Sequence, residues 1–254
     1  MSQVLLLAQR SVLRTLRQPA MVVPSIVFPL LLLSINSSGL NSATLLPGFP
    51  TDSYFQFAIA IPFIQGALFS AMSAGTNVAS DIESGFLNRL ALTPLRRVSL
   101  MLGQLTGILA LGLIQALAFL TIGIAFGNGL AAGPGGVLVL LLLSLTITLA
   151  FGCIGAFVAL RTGSGEAVQG VFPLFFAALF LSSMSLPRDL IETDWYRTVA
   201  TWNPVSYMLE GIRSLFITGW DAEALALGFA CAGGLALIAL IATAAALRTR
   251  MVRT

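Results

Sequence analysis

Six long apolar runs divided by short polar connectors constrain this 254-residue chain more than any other feature. They cover residues 20–35, 55–78, 99–126, 136–160, 167–186 and 222–247. A straight helix needs about 20 apolar residues to cross a hydrocarbon core. Hydrophobic residues make up 57% of the chain and charged ones only 9%, against about 25% charged in a soluble domain. The fold class is therefore all-α: a polytopic membrane protein with six transmembrane helices. No polar block is long enough for a separate soluble core, so residues 1–254 read as one transmembrane domain.

The span cores hold no Asp, Glu, Lys, Arg or His. That disfavours an ion- or proton-coupled pump, whose relay needs a group that titrates at mid-membrane. Gln65, Asn77, Gln104 and Gln115 are the strongest polar groups near or within spans and read as interhelical hydrogen-bonding groups. Histidine is absent and all 13 basic residues are Arg. A chain without histidine lacks the commonest metal ligand and general base, so no catalytic, cofactor or metal site is expected. Without Lys there can be no G-x-x-x-x-G-K-[ST] phosphate loop. If ATP drives this protein, the ATPase, with its ATP and Mg, is another polypeptide. Cys153 and Cys231 lie inside apolar runs and read as buried small hydrophobes. The net charge of +3 gathers at the membrane surface, where lipid headgroups account for it without nucleic acid.

The N-terminal segment, residues 1–18, predicts an amphipathic interfacial helix. Arg10, Arg14 and Arg17 share one face and Leu5, Ala8, Val12 and Leu16 the other, which directs the guanidinium groups toward anionic headgroups. The first span is short at 20–35, so neighbouring polar residues must share the crossing, and its Pro24 and Pro29 suggest a kink. Gly103 and Gly107 form a G-x-x-x-G that permits close helix contact. Six spans put both termini on one side. Placing them inside assigns Arg10, Arg14, Arg17, Arg89, Arg96, Arg97, Arg161, Arg248, Arg250 and Arg253 to the cytoplasm and leaves Arg188, Arg197 and Arg213 outside, ten against three, as the positive-inside rule prefers. The membrane is then the cell's inner (plasma) membrane.

Two polar segments break the apolar pattern. Residues 79–97 read ASDIESGFLNRLALTPLRR, where Ile82, Phe86 and Leu90 recur every four residues and Thr93-Pro94 closes the run. This predicts a short cytoplasmic amphipathic helix. Glu83 falls on the side of Leu87 and Leu90, where a carboxylate would be costly unless it met a partner protein or an Arg. Asp81, near the expected helix start, reads as a cap or dipole partner. Periodicity alone also allows a mere connector. Residues 187–220 predict two short amphipathic helices, with Trp195, Tyr196, Trp202, Tyr207 and Trp220 as interfacial anchors. Glu210 and Arg213, three residues apart, would be neighbours that steady this outer segment.

The wording of both segments resembles the membrane-spanning subunits of type-2 ATP-binding-cassette exporters. That family tends to carry E-x-E-x-G-T-x-E-x-L-x-x-T-P after its second span, matched here by Asp81, Glu83, Gly85, Leu90, Thr93 and Pro94. The departures are Asp81 for a Glu, Phe86 near the usual Thr and Asn88 for the third acid. Asn203-Pro204-Val205-Ser206-Tyr207, followed by Arg213, is similar to the family's N-P-[LV]-[ST]-Y element before the last span. The resemblance implies a permease working with a separate ATPase subunit and a second permease copy or a related permease. Its export substrate would be a drug, lipid or lipid-linked glycan. It also implies ATPase coupling through Asp81, Glu83, Gly85, Phe86, Leu87, Arg89, Leu90, Thr93 and Pro94. The outer segment with Asn203, Pro204, Tyr207, Glu210 and Arg213 would fold back as a re-entrant hairpin. A secondary transporter, a channel, and a non-transporting membrane enzyme or scaffold are the alternatives.

Overall fold

The computed structural model describes residues 3–86, 89, 97–127 and 129–250. Among the described residues there are ten α-helices and two short 3-10 helices, and no strand. Helix α1 (Gln3–Leu16) is followed by α2 (Pro19–Gly39), which opens on Pro19, where a missing N–H costs nothing. Helices α3 (Tyr54–Ala58) and α4 (Ala60–Glu83) form one nearly continuous unit. Its interruption at Ile59 lies beside Pro62, whose ring crowds the carbonyl four residues back, that of Ala58. Then come α5 (Arg97–Phe126), α6 (Gly133–Thr162), α7 (Gly165–Phe180), α8 (Asp194–Trp202), α9 (Pro204–Ile217) and α10 (Ala222–Arg250).

Five of these units are long and apolar enough to cross a membrane: α2, the α3–α4 unit, α5, α6 and α10. The neighbouring polar residues do share the first crossing, because α2 continues through them to Gly39. The hydroxyls of Ser34 and Ser37 donate back to the carbonyls of Leu30 and Leu33 inside the helix, so the serines add no unsatisfied group. The expected span over 167–186 is the element that differs most. Helix α7 has only 16 residues, about 24 Å at 1.5 Å each. It stops where Ser182 and Ser183 turn the chain, Ser182 donating to Leu179 O and the Ser183 N–H to Ser206 Oγ.

The α3–α4 unit is the axle of the bundle. Its most apolar stretch is 89% buried, whereas those of α2 and α10 are 17% and 22% buried. Phe57, Ile64 and Leu68 pack with Phe119 of α5, Leu140, Leu143 and Ile147 of α6, and Met208 and Leu209 of α9. The outer helices present apolar faces instead, Val23, Val27, Leu31 and Ile35 on α2 and Leu237, Ile238 and Ile241 on α10. A polar clamp ties three helices inside: Ser70 Oγ donates to Gln115 Oε1 at 3.0 Å, and Gln115 Nε2 donates to Ser25 Oγ at 2.8 Å. This is the interhelical role that Gln115's position predicts.

Candidate functional site

At the arginine-rich end, the helix of the second span runs through Ala79–Glu83, so this part of the polar stretch is not a separate helix. Asp81 therefore caps no helix start. It sits in the last turn of α4, where the helix dipole opposes a carboxylate, and two guanidinium groups answer it. Arg14 Nη1 lies 2.8 Å and Arg10 Nη2 2.9 Å from Asp81 Oδ1. Arg14 Nη1 also reaches Asn77 O at 3.4 Å, and the Arg10 guanidinium stands 3.9 Å from the Phe86 ring centroid. Two of the three N-terminal arginines thus turn toward protein, while Leu5, Leu6, Leu13 and Leu16 of α1 lie exposed.

Glu83, the last residue of α4, is exposed. Gly85 ends the helix in the left-handed region at φ 67°, its N–H donating to Ile82 O at 3.0 Å. A new turn starts at once: the Arg89 N–H donates to Gly85 O at 3.1 Å, and Arg89 Nη2 donates to Ser84 O at 3.1 Å. Leu87, Leu90, Thr93 and Pro94, with Asn88 and Arg96, lie outside the described residues.

At the aromatic end, the two helices expected within 187–220 are α8 and α9. Asn203 caps α9, its Oδ1 accepting from the Val205 N–H at 3.0 Å, and Pro204 fills the first helical position. The other end of the same amide donates to Ala178 O and Leu181 O at 2.6 and 3.0 Å. Tyr207 Oη donates to Thr201 O at 2.8 Å, which closes the α8–α9 corner. Trp195, Trp202 and Trp220 are exposed, as interfacial rings are.

The expected pairing of Glu210 with Arg213 is replaced by a longer network. Glu210 Oε2 pairs with Arg188 Nη2 at 2.7 Å and Oε1 accepts from Ser183 Oγ at 3.0 Å. Arg188 also lies 4.5 Å over the Tyr207 ring. Partial burial acts to lower the Arg188 pKa, but Glu210's charge and hydrogen bond outweigh it and raise the pKa. Arg213, only 6% exposed, turns the other way. Its Nε donates to Phe57 O at 2.9 Å and its Nη2 to Ser183 O at 3.2 Å and Met184 O at 3.4 Å, with the Phe57 ring centroid 3.5 Å from the guanidinium carbon. Glu210→Gln is expected to lower stability by about 1 kcal/mol, the upper range for a half-exposed pair. Thermal unfolding of a Glu210→Gln, Arg188→Gln cycle reads it, and additive effects would show the pair to be idle.

A family model described as "ABC-2 type transporter" matches residues 2–217. The chain belongs to the ABC-2 type transporter family. It is 26% identical over 217 residues to "Putative transport permease ycf38" of Porphyra purpurea, covering 85% of this chain and 74% of that relative. The same-named protein of Pyropia yezoensis is 28% identical over 212 residues, 83% of this chain and 72% of the relative. This ABC-2 permease is accordingly a multi-pass membrane protein. Its family also accounts for the lack of a phosphate loop, since ABC-2 permeases in general work with ATPase subunits.

Arg10 and Arg14 hold the Asp81 carboxylate, and Arg188 and Ser183 hold that of Glu210; the sequence alone singles out none of the four as a partner. The arginines' i, i+4 spacing on α1 was the available signal, because it marks a pair able to grip a single carboxylate.

Proposed function

We propose that this chain is the transmembrane permease of an ATP-driven exporter, paired with a second permease copy or a related permease and with separate ATPase subunits. The observation that carries this reading is the placement of Glu83, Gly85, Phe86 and Arg89. They lie at the tip of the most buried helical unit, with Glu83 and Arg89 exposed, so a push there is delivered into the core and not to a peripheral helix. The exported substrate is an amphiphile such as a drug, lipid or lipid-linked glycan. The arginine-rich end faces the cytoplasm, by the positive-inside rule, in a plasma membrane. Helix α7 completes a sixth crossing with the help of residues 181–186, and α8 and α9 dip back from the outer face. The Asn203 bracket to Ala178 and Leu181 supports that arrangement, because it holds the start of α9 against the end of α7.

Co-expression with the ATPase from the adjacent reading frame tests the assignment. The two chains are expected to co-purify, and hydrolysis is expected to change when the permease is present. Substrate translocation by a preparation without any nucleotide-binding chain would overturn it. Within the complex, Glu83→Gln is expected to leave assembly intact and to lower transport per ATP about tenfold, the equivalent of one charge-assisted hydrogen bond of roughly 1.5 kcal/mol. Reconstituted vesicles give that ratio, and a wild-type value would remove Glu83 from the coupling surface.

A further inference from the structure

The connector between α4 and α5 has two stems, the last turns of α4 and the first turns of α5, and helix α1 touches both. Along α5 the contact is steric. A Cβ added at Gly103 would lie 2.7 Å from the Leu7 Cβ, and one at Gly107 would lie 2.9 Å from Ser11 Oγ and 3.1 Å from the Ser11 Cβ. Only glycine lets the helices approach so closely, so the G-x-x-x-G seats α1 and not another span. Toward α4 the contact is electrostatic: Asp81 receives Arg10 and Arg14, and Arg14 also reaches the Asn77 carbonyl. Arg10 extends one step further and covers Phe86, beyond the end of α4.

From this we propose that α1 is a strut joining the two stems of the coupling connector, with Asp81 as its fastening. Asp81, Arg10 and Arg14 are then positioning residues, and α1 moves with both stems as one body. Without that bridge the connector could hand a displacement to one stem and not the other. Bridged across its base, it transmits a displacement to α4 and α5 together. The groups facing Asp81 support a fastening over a solvated ion pair. The carboxylate is buried at 8% exposure, and two cations leave the cluster with a net positive charge at the end of a helix whose dipole is negative there. Among the described residues, Leu5, Leu6, Leu13 and Leu16 lie exposed on the remaining face of α1.

The proposal rests on the exporter reading above for its use, and its geometry is testable without it. In a chain with Cys153 and Cys231 changed to alanine, Ser11→Cys and Gly107→Cys start from Cβ positions 3.1 Å apart, a few tenths of an ångström closer than the disulfide range, so the link itself takes the place of the glycine contact. Oxidation in membranes is expected to link most chains and, with the ATPase present, to leave transport per ATP within twofold. Asp81→Arg is expected to slow the crosslinking at least fivefold and to uncouple hydrolysis from transport. Adding Arg14→Asp, which returns a carboxylate beside Arg10, is expected to restore both. A crosslinked permease that loses transport and regains it with reductant would overturn the strut, because α1 would have to slide on α5. Wild-type crosslinking in Asp81→Arg would overturn it as well. If the cysteine pair does not fold, a thermal-unfolding cycle of Arg14→Gln and Asp81→Asn decides, and additivity there overturns the fastening. Absence of ATP-driven transport in the unmodified complex would instead overturn the exporter reading and leave the crosslinking result standing.

Discussion

Gly155→Ala is expected to cost more stability than any other single added methyl group in the bundle. A Cβ at that position would lie 1.9 Å from the Ala71 carbonyl oxygen and 2.6 Å from its carbonyl carbon. Both atoms are backbone, in the middle of the most buried helix, so neither can turn aside as a side chain would. The contact is reciprocal, since a Cβ at Gly75 would meet Gly155 O at 2.8 Å and Val168 Cγ1 at 2.5 Å. Helices α4 and α6 therefore cross glycine against glycine, and α7 packs over the same point through Val168. Admitting the methyl parts the helices by an ångström or more along their most extensive shared face, forfeiting dispersion contacts well beyond the crossing itself. Overpacking of a well-filled core costs about 1–3 kcal/mol and occasionally more; with backbone on the opposing side the upper end, about 3 kcal/mol, is expected. Gly170→Ala is the control. Gly170 is exposed on α7 with nothing within 4 Å of an added Cβ, and alanine there is expected to be neutral or stabilising by up to about 1 kcal/mol through helix propensity. Size-exclusion profiles after graded heating in detergent compare the two. Equal unfolding midpoints would mean that the α4–α6 crossing is looser than its geometry states.

Neither glycine of that crossing stands out in the sequence, and the reason is physical. A G-x-x-x-G such as Gly103–Gly107 advertises a helix face, but single glycines such as Gly75 and Gly155 are matched only by a partner 80 residues away. The apolar runs themselves were legible because the bilayer demands them. Their ends were not, because a hydroxyl can satisfy itself within a helix. Ser34 and Ser37 let α2 run on to Gly39, an extension that the short apolar run calls for but does not measure. Likewise Asp81 could stay inside α4 only because Arg10 and Arg14 neutralise it from 71 and 67 residues away. Local chemistry is more legible. Asn203-Pro204, matched above only as part of a family element, proves to be a cap followed by a first-turn proline, an arrangement complete within three residues and so open to local reading. The Glu210–Arg213 pairing failed for the opposite reason. Helical spacing brings two side chains near each other, but Glu210 found Arg188, 22 residues earlier and beyond α8, and Arg213 found carbonyls, which no side-chain pattern records.

Arg213→Met is expected to be the second large loss and to undo the outer end of the bundle specifically. The guanidinium joins three elements: α9, which carries it, the α3–α4 unit and the turn after α7. Nε holds Phe57 O, next to the break between α3 and α4, and Nη2 holds Ser183 O and Met184 O, where the chain leaves α7. Carbonyls at a helix break and in a turn lack some of the partners that a continuous helix supplies, so removing the donor leaves buried acceptors unsatisfied at about 1–3 kcal/mol each. Methionine keeps much of the apolar stem volume and the contact with the Phe57 ring, which isolates the polar loss, expected to be about 3 kcal/mol in total. Arg213→Lys separates charge from shape. An ammonium carries three donors on one nitrogen and cannot reach from Phe57 O to Met184 O as the planar fork does, so it is expected to recover less than half of the loss. Arg188→Gln removes a cation from the same network but at a half-exposed site, and about 1 kcal/mol is expected there. The order Arg213→Met, then Arg213→Lys, then Arg188→Gln in rising midpoint of thermal unfolding is the expected result. If Arg213→Lys matched wild type, a positive charge near Glu210 would be all the site requires, and the carbonyl contacts would carry no stability. If Arg213→Met and Arg188→Gln fell together, the network would be held by Glu210 alone and the join between α3 and the end of α7 would have to lie elsewhere, with Tyr54, whose hydroxyl donates to Ser185 O at 2.9 Å, the next residue to change.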